Sequence, residues 1–322
     1  GATGTSFLSS TSSSPGSDDW GQAHLTGRVD LAGHIGFEEG AEPKLDLSIQ
    51  LRENTLRTGT MTLDNLRGKL QLVGDALAGA HVGAVLAGTP IELRDFRFAI
   101  AEEARVDEVF LTARLTAEDL PLDQEHMGSF LDQESLSALI DEFYLEGRLD
   151  LDDIRLSLAQ SSDGRHRLVL AGHVIPSGLR VVAGTPIEIH AASVFVEELV
   201  LEGGRARAWG RMSDMAGAVG GRSVDGGNLL FTYADQRLNI EDLALNFAGG
   251  TLTSLGGVEG HGGAALALDL SDRHHFAIAV ELRDVEAKQL LAGAFGGDDD
   301  NSGSIDASIR LEAAPGNLLD AQ

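Results

Sequence analysis

The 322-residue chain is 43% hydrophobic, 23% charged and 5% aromatic, a balance typical of a folded protein with an aliphatic core. Its 50 Asp and Glu residues outnumber its 24 Lys and Arg residues, and the resulting net charge of −26 disfavours binding to nucleic acid and electrostatic docking on anionic lipid, since no basic stripe stands out to offset it. The lack of Cys excludes disulfides, thiolate metal sites and cysteine nucleophiles. Any contact with lipid is therefore expected to be apolar.

Residues 1–19 are rich in Ser, Thr and Gly and offer little apolar surface, so they are predicted to form a flexible linker. The chain begins at Gly1 and ends at Gln322, without a signal peptide and without the run of ~18 apolar residues that a membrane span needs. We therefore expect a segment of a longer protein.

Alternation of apolar and polar residues dominates residues 20–116 and 145–284. The run Leu45, Leu47, Ile49 and Leu51, for example, alternates with polar side chains, which is the pattern of a strand with one buried and one wet face. Clusters of Gly, Asn and Asp separate such runs. Both segments are predicted to form antiparallel sheet, and residues 304–322 are predicted to begin a further strand unit.

Two stretches depart from this alternation. Residues 117–144 place apolar side chains at helical spacing and are predicted to be a helical insertion. Residues 285–303 are predicted to form a short helix followed by an acidic loop.

The chain also contains an internal echo. The sequence Val-Leu-Ala-Gly-Thr-Pro-Ile-Glu-Leu at 85–93 returns as Val-Val-Ala-Gly-Thr-Pro-Ile-Glu-Ile at 181–189. The echo indicates either a duplication or a common strand-entry turn that occurs twice, since Pro is ordinary at the start of a strand.

Established catalytic and phosphate-binding motifs are absent from the sequence, so we expect a non-enzymatic protein without a cofactor. The loop around Asp298, Asp300 and Ser302 matches the first nine positions of a calcium-binding loop, but the closing Glu is replaced by Ile309. A polar turn is the stronger interpretation of this loop, and calcium is the weaker one.

A loose repeated unit points to a family. The run 280–291, Val-Glu-Leu-Arg-Asp-Val-Glu-Ala-Lys-Gln-Leu-Leu, is followed by a Gly/Asp loop and then by Gly-Ser-Ile-Asp-Ala-Ser-Ile-Arg-Leu at 303–311. Related strands are Leu-Thr-Gly-Arg-Val-Asp-Leu at 25–31, Gly-Lys-Leu-Gln-Leu at 68–72 and Leu-Glu-Gly-Arg-Leu-Asp-Leu at 145–151. These units resemble those of the AsmA-like lipid-transfer proteins.

The resemblance implies an all-β fold with a minor α part: a long, twisted antiparallel sheet curled into an open apolar groove, with one or two short helices packed on it. It further implies a bacterial envelope protein in the periplasm, anchored through parts absent from this chain, which carries phospholipid or another acyl-chain lipid between inner and outer membranes. Inner- and outer-membrane proteins are the implied partners. The alternative is a structural or adhesive β-repeat spacer whose apolar face is closed.

The residues expected to line the groove are aliphatic and lie on the apolar parity of their runs. They are Leu25, Val29, Leu31, Ile35, Leu45, Leu47, Ile49, Leu51, Leu149, Leu151, Ile278, Val280, Leu282, Ile309 and Leu311.

Overall fold

The computed structural model describes most of the chain between residues 23 and 313. The described ranges are 23–36, 44–58, 61–73, 76–86, 88–99, 109–122, 146–160, 166–183, 185–202, 205–256, 264–269, 276–291 and 302–313. The predicted linker 1–19 lies outside them, as do residues 123–145 and 292–301.

The described residues form sixteen β-strands and one short α-helix. The first eight strands are β1 (Ala23–Gly36), β2 (Lys44–Thr58), β3 (Met61–Val73), β4 (Ala76–Leu86), β5 (Thr89–Ala99), β6 (Val109–Leu122), β7 (Glu146–Gln160) and β8 (His166–Ala183). The others are β9 (Thr185–Glu202), β10 (Arg205–Val219), β11 (Arg222–Ala234), β12 (Arg237–Phe247), β13 (Gly250–Ser254), β14 (Leu266–Asp269), β15 (Phe276–Glu286) and β16 (Ser304–Ala313), with helix α1 (Ala287–Leu291) after β15.

The strands form one antiparallel sheet in which neighbours in sequence are neighbours in space from β1 to β12. Beyond β12, the strands β12, β13, β15 and β14 close a small ring of pairings. Because β13 and β14 pair with successive parts of the same edge of β12 and of β15, they are two halves of one interrupted strand. Ala279 connects the halves: its N donates to the O of Ala265 at 2.8 Å, and its O accepts from the N of Leu255 at 3.0 Å.

By internal contacts the chain divides into two compact units. Unit 1 comprises Gly1–Ser137, Asp150–Gly172 and Val200–Gly204, and unit 2 comprises Ala138–Leu149, His173–Leu199 and Arg205–Gln322.

Eight of the described strands contain one polar residue in the left-handed backbone region, with φ between 45° and 60°. These residues are Glu53, Asn65, Asp95, Asp119, Asp153, Asp214, Asp242 and Asp284. Asp and Asn adopt this region more readily than other side chains that carry a Cβ. The register at β15 shows the consequence. The pairs Leu282–Ala307 and Val285–Ile305 enclose two residues of β15, Arg283 and Asp284, but only one residue of β16. This mismatch of two residues against one defines a β-bulge.

Each bulge places two successive polar residues outward between two residues that face inward. In β15, Leu282 and Val285 are 4% and 0% exposed, whereas Arg283 and Asp284 are exposed. Apolar residues therefore change from even to odd positions at the bulge, and the same face stays apolar. The other copies span 51–54, 63–66, 93–96, 117–120, 151–154, 212–215 and 240–243.

At two bulges, a side chain of the adjacent strand binds the backbone N–H that the bulge removes from the ladder. Asp306 of β16 accepts from the N of Asp284 at 2.8 Å, and Asp150 of β7 accepts from the N of Asp119 at 2.7 Å. Both acceptors lie three residues after a glycine with φ near +150°, Gly303 or Gly147. These Gly-x-x-Asp sequences belong to the strands on which the family resemblance was based, so the bulges give them a structural role.

A separate hydrophobic cluster stabilises each unit. In unit 1 it joins side chains of β2 to β6, among them Leu51, Leu66, Val82 and Leu93. In unit 2 the main cluster joins side chains of β9 to β15 and the residue Ala265. Helix α1 places Leu290 against a smaller cluster of Ala248, Leu282 and Val285, and the O of Leu290 accepts from the Nε of Arg222 at 3.1 Å.

The expected fold class is confirmed, because the described residues are nearly all in one long antiparallel sheet. Strand β6 continues to Leu122, so residues 117–122 are strand and not the start of a helical insertion. The bulge at Asp119 moves the apolar positions from Ala117 to Leu120, a three-residue interval that imitates helical spacing. A helix follows β15 as predicted, although residues 285–286 still belong to the strand.

Both copies of the internal echo form hairpins. The first lies where β4 is followed by β5, with Leu86 paired to Thr89, and the second lies where β8 is followed by β9. In each copy Pro is the second residue of the later strand. No helix among the described residues is long and apolar enough to cross a membrane.

The bulge in β15 can be tested by substitution at Asp284. The change Asp284→Val is expected to lower the free energy of unfolding by about 1–2 kcal/mol, because a branched side chain is strained at φ 53°. Asp284→Gly should cost clearly less, since glycine adopts this conformation freely. Urea unfolding checks the difference, with Ser308→Val as the control at a regular exposed position of β16; equal losses for the two Asp284 variants would contradict the strain argument.

Candidate functional site

The apolar face of unit 1 consists of rows in which side chains lie directly opposite each other across neighbouring strands. One row, named row A, crosses β2 to β6 through Leu47, Leu72, Leu77, Phe98 and Leu111. A second row, named row B, crosses β1 to β6 through Val29, Leu51, Gly68, Val82, Leu93 and Leu115.

The two rows differ in exposure. In row B, Leu51 is 3% exposed and Val82 is 2% exposed, so these side chains form the core of the unit. All five side chains of row A are only partly buried. Row A is therefore an apolar stripe that solvent reaches, although it lies on the same face as the core.

Unit 2 contains a comparable row, named row C. It crosses β11, β12, β14, β15 and β16 through Phe231, Ile240, Leu266, Ile278 and Leu311. The first four side chains are partly buried, and Leu311 is 50% exposed. The core of unit 2 lies beside this row, where Val280 is 1% exposed.

The dimensions of these rows suit an acyl chain. Strands lie about 4.8 Å apart, so a row across five strands extends for about 19 Å. This exceeds the ~15 Å that half of a bilayer's hydrocarbon core measures. A single acyl chain can therefore lie along either row with apolar contacts at every strand.

The structure distributes the predicted groove residues over several environments. Leu47 belongs to row A, and Ile278 and Leu311 belong to row C, whereas Leu51, Val280 and Leu282 are buried core residues that offer a lipid no surface. Val29, Ile49, Leu149 and Leu151 are partly buried, and Leu31 and Ile309 are 61% and 39% exposed. The side chains of Leu25, Ile35 and Leu45 lie outside the description.

Sequence patterns alone did not identify most members of rows A and C. Phe98 shows the reason, because the apolar positions of β5 are odd at Ile91 and Leu93 but even at Phe96 and Phe98, on the two sides of Asp95. A strict alternation therefore loses the face at each bulge. A four-residue pattern recovers the face: an inward residue, then a polar residue, then Asp or Asn, and then a second inward residue.

The apolar rows carry no charged side chain. Tyr233 lies two residues beyond Phe231 on the same face and directly opposite Leu238. Burial raises the pKa of the Tyr233 phenol, so the group stays neutral over the physiological pH range. The face is therefore suited to apolar contact rather than to proton transfer.

A polar cleft of about 500 Å³ lies elsewhere in unit 2, between helix α1 and the ends of β11 to β13. Its polar side chains mostly bind each other or the backbone: Asn246 donates to the O of Asp225 at 2.7 Å, and Ser223 donates to Gln289 at 3.3 Å. Arg283 at its rim donates to Glu281 at 2.8 Å, which raises the pKa of the guanidinium. Of these contacts, the one between Ser223 and Gln289 joins the helix to the sheet.

Within the described ranges, no cluster of three or more His, Asp or Glu side chains is arranged to hold a metal ion. The calcium candidates Asp298 and Asp300 lie outside those ranges, and Ser302 is exposed just before β16. The calcium interpretation therefore stays a prediction.

Comparison with known proteins does not assign the chain to a family. No protein-family model matches the sequence, no curated protein matches it, and no solved structure matches the fold. The AsmA-like resemblance thus stays a hypothesis based on the motifs themselves.

The contrast between rows A and B predicts unequal costs of truncation. Leu51→Ala is expected to lower the free energy of unfolding by about 2–5 kcal/mol, because it opens a cavity in the core of unit 1. Leu72→Ala in row A should cost about 1–2 kcal/mol, since its side chain already contacts water. Urea unfolding measures both, and equal costs would indicate that row A is closed.

Proposed function

We propose that this chain is a non-enzymatic segment of a bacterial envelope protein that binds acyl chains of phospholipid along the apolar face of its sheet and carries or bridges them between membranes. The lipid contact is apolar, through rows A and C, and needs no cofactor. The envelope location and the membrane-protein partners rest on the AsmA-like resemblance alone.

Row A is the observation that carries this proposal. Five large side chains face each other across five strands and all remain partly exposed. Folding alone gives little reason to keep such a stripe in contact with water, because each buried methylene stabilises by about 0.8 kcal/mol. An acyl chain that lies on the stripe gains this stabilisation for each methylene that it buries, so a longer chain gains more.

The opposite face of unit 1 explains how such a sheet stays in solution. Asp46, adjacent to Leu47, is exposed, and the exposed pair Arg52 and Asp30 forms an ion pair of 2.7 Å on the same strands. A sheet with one charged face and one aliphatic face tolerates an accessible apolar stripe, since lipid reaches only one side.

The second candidate function is a structural or adhesive spacer. The near-complete burial of Leu51, Val82 and Val280 favours it, because a spacer needs only a closed core. The two functions differ in one property. A spacer has no lipid contact along row A, whereas a carrier does.

Site-specific photo-crosslinking distinguishes the two functions. With the chain expressed in a bacterial envelope, a photoreactive residue at Leu47 should yield lipid adducts, whereas one at Asp46, on the opposite face, should yield few. A third probe at Leu51 is the matched control for an apolar but inaccessible position on the same strand. Adducts are detected by mass spectrometry of the purified protein.

A charge in row A supplies the second arm of this test. Leu47→Asp should reduce adducts at a probe placed at Leu72, because a carboxylate in a lipid-covered stripe costs several kcal/mol unless it is neutralised. Circular dichroism first establishes that the variant is folded. Equal labelling at Leu47 and Asp46 would indicate nonspecific contact and contradict the carrier, and no labelling at Leu47 and Leu72 in folded protein would support the spacer.

A further inference from the structure

Strand β10 carries a basic and aromatic stripe on the face opposite the core. Its alternate residues Arg205, Arg207, Trp209 and Arg211 are all exposed. The register fixes their side, because Trp209 lies opposite Thr232 and Arg211 opposite Leu230, while the core-facing Gly210 lies opposite Phe231. The three arginines lie within seven residues of the sequence, and the strand places all of them on one face.

The arginines of this stripe are available for a ligand. Over the described part of the chain, Arg205, Arg207 and Arg211 form no ion pair, although acidic residues outnumber basic ones two to one. The guanidinium carbon of Arg211 lies 4.8 Å from the centre of the Phe195 ring, which orients it by a cation–π contact.

Two large apolar side chains accompany the charges. Trp209 is 43% exposed and Leu230 is 40% exposed, and Leu230 is the direct neighbour of Arg211. The core side of the same segment holds only small residues, Ala206, Ala208 and Gly210. Bulk therefore lies on the solvent side of β10, the reverse of what a folding core requires.

We propose that this outer face of β10 and β11 docks on the surface of an anionic bilayer. Arginines near anionic headgroups gain favourable electrostatic energy, and Trp is enriched at the level of the headgroups because its ring is amphipathic. Leu230 favours a bilayer over nucleic acid as the partner. An aliphatic side chain is stabilised when it is buried at the boundary of the acyl chains, but it offers no surface on which a base can stack. The patch spans a few side chains, so it acts at short range, within a Debye length, despite the net charge of −26.

Acidic side chains limit the patch on both sides, and the exposed Glu197 lies on β9 two residues from Phe195. Glu241 of β12 lies directly opposite Leu230. The bound orientation therefore centres on β10, with Arg205, Arg207 and Trp209 toward the headgroups and Glu241 at the rim.

This inference goes beyond the proposed function, because it concerns the opposite face of the sheet and a membrane surface rather than a single acyl chain. Lipid adducts at Leu47 without vesicle binding would refute only the docking surface. Vesicle binding without adducts at Leu47 would refute only the carrier.

The test is flotation of the full chain with vesicles of phosphatidylcholine alone or mixed with phosphatidylglycerol. We expect binding to the mixed vesicles that declines as salt is raised. The double variant Arg205→Gln, Arg207→Gln should bind about 30-fold more weakly, since each basic residue near an anionic surface contributes about 1 kcal/mol. The control is Arg28→Gln, Arg57→Gln, which removes the same charge from two exposed positions of β1 and β2 and should leave binding nearly unchanged.

Fluorescence adds a readout of position. In a Trp20→Phe background Trp209 is the remaining tryptophan, and its emission should shift to the blue on binding to the mixed vesicles. Equal partition to neutral vesicles, equal losses for the two arginine pairs, an unshifted emission, or tighter binding to a single-stranded oligonucleotide would each overturn the proposal.

Discussion

The constraint on which this sheet depends is that every strand must keep one apolar face over its whole length. Most strands here run for 11 to 18 residues, whereas strands in globular proteins usually measure about five or six. Over such lengths the twist of a strand accumulates, and bulges increase that twist and bend the strand. The chain meets the constraint with one left-handed Asp, Asn or Glu in each of eight strands, which moves the apolar positions by one and leaves the face unchanged.

The bulges in turn determine which residue types are favoured at the facing positions of the neighbouring strand. A bulge leaves one N–H without a ladder partner, and an unpaired backbone donor is costly. Asp150 and Asp306 accept these donors from the adjacent strand. Close approach is also needed: a Cβ at Gly147 would lie 2.8 Å from the Cα of Leu179, so glycine is required there for space as well as for its φ of +153°. The repeated Gly-x-x-Asp sequences thus follow from the geometry of bulges.

The fold class could be predicted from the sequence because the alternation between bulges is regular, as in the run Leu45 to Leu51. The extent of the strands could not be predicted equally well. The predicted helical insertion began at residue 117, whereas Ala117 and Leu120 are the two inward residues of β6 on either side of the bulge at Asp119. The candidate site was predicted in part, because Leu47, Ile278 and Leu311 lie in accessible rows. Sequence alone could not separate Leu47 from the buried Leu51, or Ile278 from the buried Val280, since the residues of each pair alternate on the same face of one strand. Exposure depends on neighbours that are distant in the sequence.

Several residues beside the bulges are deeply buried. Leu51, Leu66, Leu93, Leu282 and Val285 each lie beside a bulge and are less than 9% exposed. Leu47, Leu72 and Ile278 lie at least five residues from the bulge of their strand and are partly exposed. A long strand can therefore stabilise the fold near its bulge while another part of the same face stays accessible. Because the two parts need different side-chain packing, a substitution in row A is expected to cost less stability than one in the core, and the acyl-chain contact proposed for row A would not compete with the core for the same residues.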